Sequence, residues 1–379
     1  GIGGGYYPAR SLGSLGSALM RNQRWLRRYS RPPRPFSGAP NAHSFMSIRS
    51  IVPTSVAVLS LVALAGADTI HTTEGRTIDD CTVVEEGLME VVYRRGSSNK
   101  TTMPSSDVLR IEFSTMPTLV DRAETAVADD QVFDAVNDLT VYLEGALNKL
   151  EGGGRVRPSW APAYAAWRLA ELNASMGQVG ETIAAADKLV KKFPDARYVP
   201  AALLLKAEAQ FVDGKAGPAK KTLGAITTLV AERGISERWD LEAKLLAIVF
   251  DASLSGEQKR TALGRLATRA GTKFASVRNR AQVNGAASLL EEKDFDQAKK
   301  VFERISKDSK SDQRTLAIAW SGLGDCLYQA GAKNPSTPAN QAILKDALKA
   351  YMRVVILYKG ESQYVARSMF YAGRIYIFI

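Results

Sequence analysis

Histidine, cysteine and paired carboxylates are the side chains in this sequence that could support catalysis or bind a metal ion, and they are few. The 379 residues contain two histidines and two cysteines, none of them in a spacing typical of zinc sites. His71 has no acidic or cysteine partner at ligand spacing, so we expect a surface role for it. Cys81 and Cys326 are expected to be free thiols, with a disulfide in an oxidising compartment as the alternative. The sequence therefore predicts no metal site and no cofactor.

Two pairs of neighbouring carboxylates are candidates for general acid–base catalysis. They are Asp79 with Asp80, and Glu85 with Glu86. Such catalysis needs two carboxylates that converge on one substrate, whereas neighbouring side chains on a strand point to opposite faces. We therefore expect these residues at solvated turn edges, and the sequence predicts a protein that is not an enzyme. An enzyme whose site is not visible in the sequence is the alternative.

Aromatic, leucine and acidic residues recur on three predicted helices, at positions that would line the concave side of a helical-repeat array. This set is Tyr164, Trp167, Glu171, Leu204, Glu208, Phe211, Asp325 and Tyr328. Aromatic side chains interleaved with carboxylates suit a peptide or a helix bound in a groove. The acids predict a partner with basic and apolar side chains. The alternative is that Trp167 and Phe211 only seal adjacent repeats.

The charge of the chain is unevenly distributed. Lysine and arginine total 50 against 39 acidic residues, a balance that usually favours nucleic-acid binding. Eight of the arginines and none of the acids lie in residues 1–67, so 42 basic residues face 39 acidic ones in the rest. Because that remainder is nearly neutral, the sequence predicts protein or peptide partners and no nucleic acid.

A predicted signal peptide occupies residues 46–67. Arg49 gives it a positive start, and Ala65 and Ala67 supply the small side chains that signal peptidase requires. The apolar run of about 14–17 residues is shorter than the ~20 that span a bilayer, which favours cleavage between Ala67 and Asp68. Cleavage indicates export to the periplasm or cell envelope. An uncleaved membrane anchor formed by residues 50–67 is the alternative.

Residues 1–45 are rich in glycine, serine, arginine and proline, and they begin with Gly1. We interpret them as disordered sequence translated ahead of a true start at Met46. An organelle transit peptide is the alternative, since such peptides are also arginine-rich and poor in acids. At the other end, an apparent helix stops at Ile379, so the repeats described below are expected to continue beyond it.

Residues 68–115 carry a β pattern. Short runs of alternating and β-branched residues are separated by turn signals about every 8–12 residues. They predict four or five strands in a small antiparallel sheet or barrel, similar in pattern to SH3-like or Sm-like modules. Because about 48 residues are marginal for independent stability, we expect this β module to pack on the segment that follows.

Residues 116–379 carry a helical pattern with an internal repeat. Residues 320–324 (WSGLG) match the W-x2-L-G start of the first helix of a tetratricopeptide repeat. A small residue should recur twelve positions later, on the second helix, because antiparallel helices approach closely where small side chains face each other. The pairs at this spacing are Ala123/Ala135, Ala170/Thr182, Ala207/Ala219 and Ala286/Ala298.

The repeat period follows from the small positions of the first helices. They lie 37–40 residues apart between Ala170 and Gly324, and Gly373 follows after 49 residues, which predicts an insertion near residues 334–338. The sequence therefore predicts a mostly α fold. It consists of a tetratricopeptide-like α-solenoid of antiparallel helix pairs, preceded by the small antiparallel β module.

The chain resembles tetratricopeptide proteins of the bacterial cell envelope, in particular the TolA-binding and outer-membrane-assembly types. Their repeats are joined by a Phe-Pro-Asp/Ser…Tyr…Ala segment, which residues 193–198 (FPDARY) with Ala202 match. The resemblance covers about residues 117–379. It implies a non-catalytic exported scaffold that binds proteins or peptides through the tetratricopeptide superhelix. The alternative is an organelle-targeted tetratricopeptide adaptor that uses residues 1–45 as its transit peptide.

Overall fold

The computed structural model describes residues 67–73 and 75–379. Residues 1–45, and the predicted signal peptide apart from Ala67, lie outside the described residues. Asp68, on the carboxyl side of the predicted cleavage site, is the first residue of the first strand.

Five strands form one antiparallel sheet at the start of the described chain. They are β1 (Asp68–Thr72), β2 (Thr77–Glu86), β3 (Glu90–Arg95), β4 (Thr101–Pro104) and β5 (Val108–Glu112). The strand order is β4-β3-β2-β1-β5, so the last strand returns to pair with the first. Side chains that alternate inward form a small apolar core: Ile70, Cys81, Val83, Val91, Val108 and Ile111.

Thirteen α-helices follow in the part of the chain that the structure describes. The first six are α1 (Thr118–Ala128), α2 (Val132–Glu151), α3 (Ala161–Ser175), α4 (Val179–Lys192), α5 (Val199–Val212) and α6 (Ala216–Arg233). The others are α7 (Arg238–Phe250), α8 (Gly256–Ala270), α9 (Ala275–Glu291), α10 (Phe295–Ile305), α11 (Gln313–Gly331), α12 (Pro338–Leu357) and α13 (Ser362–Tyr376). Among these helices, none is long and apolar enough to cross a membrane.

The helices pack in successive pairs, from α1 with α2 to α11 with α12, and α13 packs on the last pair. From α3 to α11, the first helices of successive pairs begin 38, 39, 37 and 38 residues apart, and α13 begins 49 residues after α11. The predicted fold class is confirmed: a tetratricopeptide-like α-solenoid follows a small antiparallel sheet.

Small residues at the predicted spacing lie where paired helices meet. The eight residues of the four predicted pairs are all buried, with at most 2% of their surface exposed: Ala123 and Ala135, Ala170 and Thr182, Ala207 and Ala219, and Ala286 and Ala298. Ala247, in the most divergent repeat, is only half-buried. On α11 the small residues admit aromatic rings, because Phe302 packs on Gly322 and Tyr351 packs on Gly324. The solenoid core is therefore built from small positions that receive large side chains of the neighbouring helix.

Candidate protein-binding surface

Six of the eight predicted binding residues lie on two neighbouring first helices, α3 and α5. Each helix has a proline in its first turn, Pro162 or Pro200, where the missing N–H group needs no partner. The side chains follow helical spacing on one face of each helix, and α3 contacts α5. We call this set the α3–α5 face, and all of its members are half-buried: Tyr164, Trp167, Glu171, Leu204, Glu208 and Phe211.

The aromatic members of the α3–α5 face are held by other rings. Trp167 stacks on Tyr198, with ring centroids 6.0 Å apart, and Phe211 stacks on Phe250 of α7 at 4.6 Å. The Tyr164 hydroxyl donates a hydrogen bond to Glu124 Oε1 at 2.9 Å, and burial raises the pKa of Tyr164. These rings therefore connect successive repeats while each keeps part of its surface exposed.

The acidic members of this face are each paired with an arginine. Glu171 accepts a hydrogen bond from Arg168 at 2.8 Å. Glu208 accepts two hydrogen bonds from Arg314, one of them at 2.7 Å. Burial alone would raise the pKa of Glu208, but the Arg314 guanidinium outweighs it and holds that pKa below its usual range. The surface is therefore of mixed charge, whereas the acids in the sequence alone predicted a partner with basic side chains.

Asp325 and Tyr328 do not belong to the α3–α5 face. Both lie on α11 and are buried, with 8% and 5% exposure. Asp325 accepts hydrogen bonds from the Tyr351 hydroxyl at 2.7 Å and from Arg367 at 2.9 Å, and Tyr328 packs edge-on against Tyr371. This corrects the prediction for these two residues, because α12 and α13 cover the side of α11 on which they lie.

The Glu208–Arg314 ion pair joins α5 to α11 across 106 residues of sequence. A second arginine of the same region, Arg280 on α9, bridges Glu242 at 2.8 Å and Asp312 at 2.6 Å. First helices of four successive pairs therefore meet through side chains on one side of the array, as expected for the concave side of a superhelix. Arg314 and Arg280 were not predicted, since no local pattern marks residues that meet over such a distance.

The β sheet is attached to the solenoid next to the α3–α5 face. Glu86 of β2, predicted to be solvated, is buried instead: its side chain is 2% exposed and lies 2.5 Å from Arg197 Nε. It also accepts a hydrogen bond from the Tyr198 hydroxyl at 2.8 Å, and burial raises the pKa of Glu86. Phe113 stacks on Trp160 at 3.5 Å. The FPDARY segment therefore contacts the sheet through Arg197 and Tyr198. Its resemblance to a repeat linker did not indicate this contact.

The described histidine and the two cysteines were the other residues that the sequence singled out for possible chemistry. His71 does have an acidic partner, since its Nε2 lies 3.1 Å from Glu112 Oε1 on the paired strand β5, which corrects the sequence-based expectation. Cys81 and Cys326 are free and buried, and burial raises the pKa of the Cys326 thiol to about 12, so it is not an activated nucleophile. Among the described residues, no group of three or more His, Cys, Asp or Glu could hold a metal ion.

This fold is that of a tetratricopeptide-like helical-repeat protein. Its helix pairs repeat about every 38 residues, small residues of one helix pack against large side chains of the next, and the first helices of the pairs line one side of the array. No protein-family model matches the chain, and no curated protein matches its sequence. Among solved structures, the chain is similar to a Rap protein complexed with competence and sporulation factor. The TM-score is 0.40 with 13% sequence identity, over 69% of this chain and 75% of the Rap chain.

Proposed function

We propose that this protein is a non-catalytic scaffold that binds a protein or peptide segment on the α3–α5 face. The observation that carries the proposal is that six aromatic, leucine and glutamate side chains on two adjacent first helices are half-buried. Residues of these types commonly contact a bound peptide. Aromatic and leucine side chains that are fixed by packing yet partly exposed lose little conformational entropy when a partner covers them. That is the property expected of a binding surface.

The chemistry of the face selects the kind of segment that it would bind. Trp167, Leu204 and Phe211 offer apolar surface, while the Arg168–Glu171 and Glu208–Arg314 pairs offer guanidinium and carboxylate groups side by side. A segment with two or three apolar side chains and flanking polar groups would match this arrangement. We expect a strongly basic segment to bind less tightly than the sequence alone suggested, because both carboxylates already have arginine partners.

We propose further that the scaffold works in the periplasm or cell envelope, after export and cleavage of residues 46–67. The small-residue site at Ala65 and Ala67 motivates this proposal. What supports it is the position of Asp68: the first described strand begins there, so cleavage would leave all five described strands in the mature chain.

Selection of a displayed random peptide library against the full chain tests the binding surface. A selected peptide is then titrated against the wild type and against Leu204→Glu. We expect the variant to weaken binding at least about tenfold, because it places a charge in the apolar part of the face. The fold should be retained, since Leu204 is only half-buried.

Leu109→Glu is the matched control, because Leu109 is 60% exposed on β5. It should leave peptide affinity unchanged. Failure to select any peptide, or equal weakening by the two variants, would contradict the proposed surface.

A further inference from the structure

The pair formed by α7 and α8 departs from the packing of the other helix pairs. In four of those pairs, small residues twelve positions apart are buried where the two helices meet. Lys259 stands twelve positions after Ala247 in place of a small residue, and both residues are only half-buried. The Lys259 Nζ donates a hydrogen bond to the Val249 carbonyl oxygen near the end of α7, at 3.1 Å. Because close approach of antiparallel helices needs small residues on both of them, this pair leaves a groove between its helices.

The α7–α8 groove is apolar at its base and has a volume of about 350 Å³. Leu241 of α7 and Leu266 of α8 form its buried part, and Ala247 and Ile248 are half-buried beside them. Sites of such a volume, from about 300 Å³ upward, accommodate ligands in other proteins. Because α6 packs on α7 and α9 packs on α8, the groove lies within the array and stays open with both neighbouring helix pairs in place.

The rim of the groove is basic. Lys244, Arg265 and Arg269 line it with exposed side chains. Lys244 lies 2.7 Å from Asp240, and Arg269 lies 2.7 Å from Glu237, whereas Arg265 forms no ion pair with a residue that the structure describes. Arg265 and Arg269 are one turn apart on α8, and like charges at this spacing repel each other. A carboxylate that bound beside Arg265 would therefore be attracted and would relieve this repulsion.

We propose that the α7–α8 groove binds a segment of another protein that carries a large apolar side chain next to a carboxylate. The apolar side chain covers Leu241, Ile248 and Leu266, and the carboxylate accepts charge-assisted hydrogen bonds from Arg265. A basic segment is disfavoured, because its charge would face Arg265 and Arg269. The α3–α5 face differs in this respect, since its arginines already have carboxylate partners. The groove is therefore a second site with a different preference.

Two displayed peptide libraries test the proposal against the full chain. Both carry two adjacent apolar positions, which are flanked by Asp or Glu in one library and by Lys or Arg in the other. We expect selection from the acidic library alone. The dissociation constant of a selected peptide should rise at least about tenfold in Arg265→Glu, which reverses the rim charge. A similar rise is expected in Ala247→Leu, because the larger side chain occupies the groove without changing any charge.

Two further variants serve as matched controls. Lys300→Glu makes the same change of charge at an exposed position on α10, and it should leave peptide affinity unchanged. Ala207→Leu repeats the groove-filling change at the equivalent position of α5, which is fully buried. It should lower the Tm through overpacking, whereas Ala247→Leu should not.

Three results would overturn the proposal. The first is equal selection from both libraries or none from the acidic one. The second is a selected peptide that binds Arg265→Glu and Ala247→Leu as tightly as the wild type, or that Lys300→Glu weakens to the same extent. The third is a loss of Tm in Ala247→Leu as large as that in Ala207→Leu, which would show that the two helices already close the groove.

Discussion

The ring of Phe302 lies against the backbone of Gly322, so close that a Cβ atom on this glycine would be 2.5 Å from Cζ of the ring. Phe302 is on α10, the second helix of one pair, and Gly322 is on α11, the first helix of the next. Phe302 is 1% exposed. The contact between these two residues therefore sets the distance between successive pairs in this part of the solenoid.

Gly322→Ala should destabilise the protein. Alanine favours a helix over glycine by about 1 kcal/mol, but the added methyl group has to displace a buried ring, which costs about 1–3 kcal/mol. Gly224→Ala is the control, because that glycine lies inside α6 with nothing within 4 Å of a Cβ atom; it should raise stability by about 0.5–1 kcal/mol. Urea denaturation of both variants measures the difference, and stabilisation by Gly322→Ala would show that the ring is free to move.

The stability of the fold should fall at low pH through Asp312. Burial by itself would raise the pKa of this carboxyl, but Arg280 and the Thr315 N–H group hold it at about 2. Because this folded-state pKa lies below the unfolded value near 4, the ionised form favours folding. The stabilisation is complete above about pH 4 and is lost as the pH falls through 2, by about 2 kcal/mol in all.

Asp312→Asn should remove this pH dependence, since the amide does not titrate. Asp296→Asn, which removes a charge from an exposed position on α10, should leave it in place. Denaturation midpoints measured between pH 2 and 5 compare the variants with the wild type. Parallel pH curves for the wild type and Asp312→Asn would contradict the assignment.

The Glu208–Arg314 pair should hold the two sides of the superhelix together. Arg314→Glu places two carboxylates in opposition, so the array is expected to open and its radius of gyration to rise in small-angle scattering. The exchanged double variant Glu208→Arg with Arg314→Glu restores opposite charges and should recover the wild-type value. A double-mutant cycle is expected to give about 1–3 kcal/mol of coupling; equal radii for all three proteins would show that the pair does not control the curvature.

Export should produce a mature chain that begins at Asp68. The Asp68 carboxylate accepts hydrogen bonds from the backbone N–H groups of Val83 and Ser114, each at 2.8 Å, so it belongs to the folded sheet. Mass spectrometry of the protein from envelope fractions should find this N-terminus, and Ala67→Leu should block its formation. Recovery of residues 46–67 on the wild-type protein in membranes would favour the anchor instead.

Much of the fold was predictable from the sequence because helix and strand faces are encoded locally. Alternation marked residues 68–115 as strands, and small residues spaced by twelve marked the helix pairs. Ala298 and Phe302, four residues apart, lie on the same face of α10 and are both buried. Such patterns need only the geometry of one helix or one strand, so the sequence by itself determined the class of fold, the repeat period and the candidate α3–α5 face.

Tertiary structure alone decided which distant residues meet. The small rotation between successive helix pairs accumulates along a solenoid, and it brings Arg314 to Glu208 although neither residue's surroundings in the sequence indicate it. In the same way, the path of the chain after β2 places Glu86 against Arg197, and two further helices bury Asp325 and Tyr328. A helical pattern shows which side chains share a face, but what covers that face depends on elements many residues away.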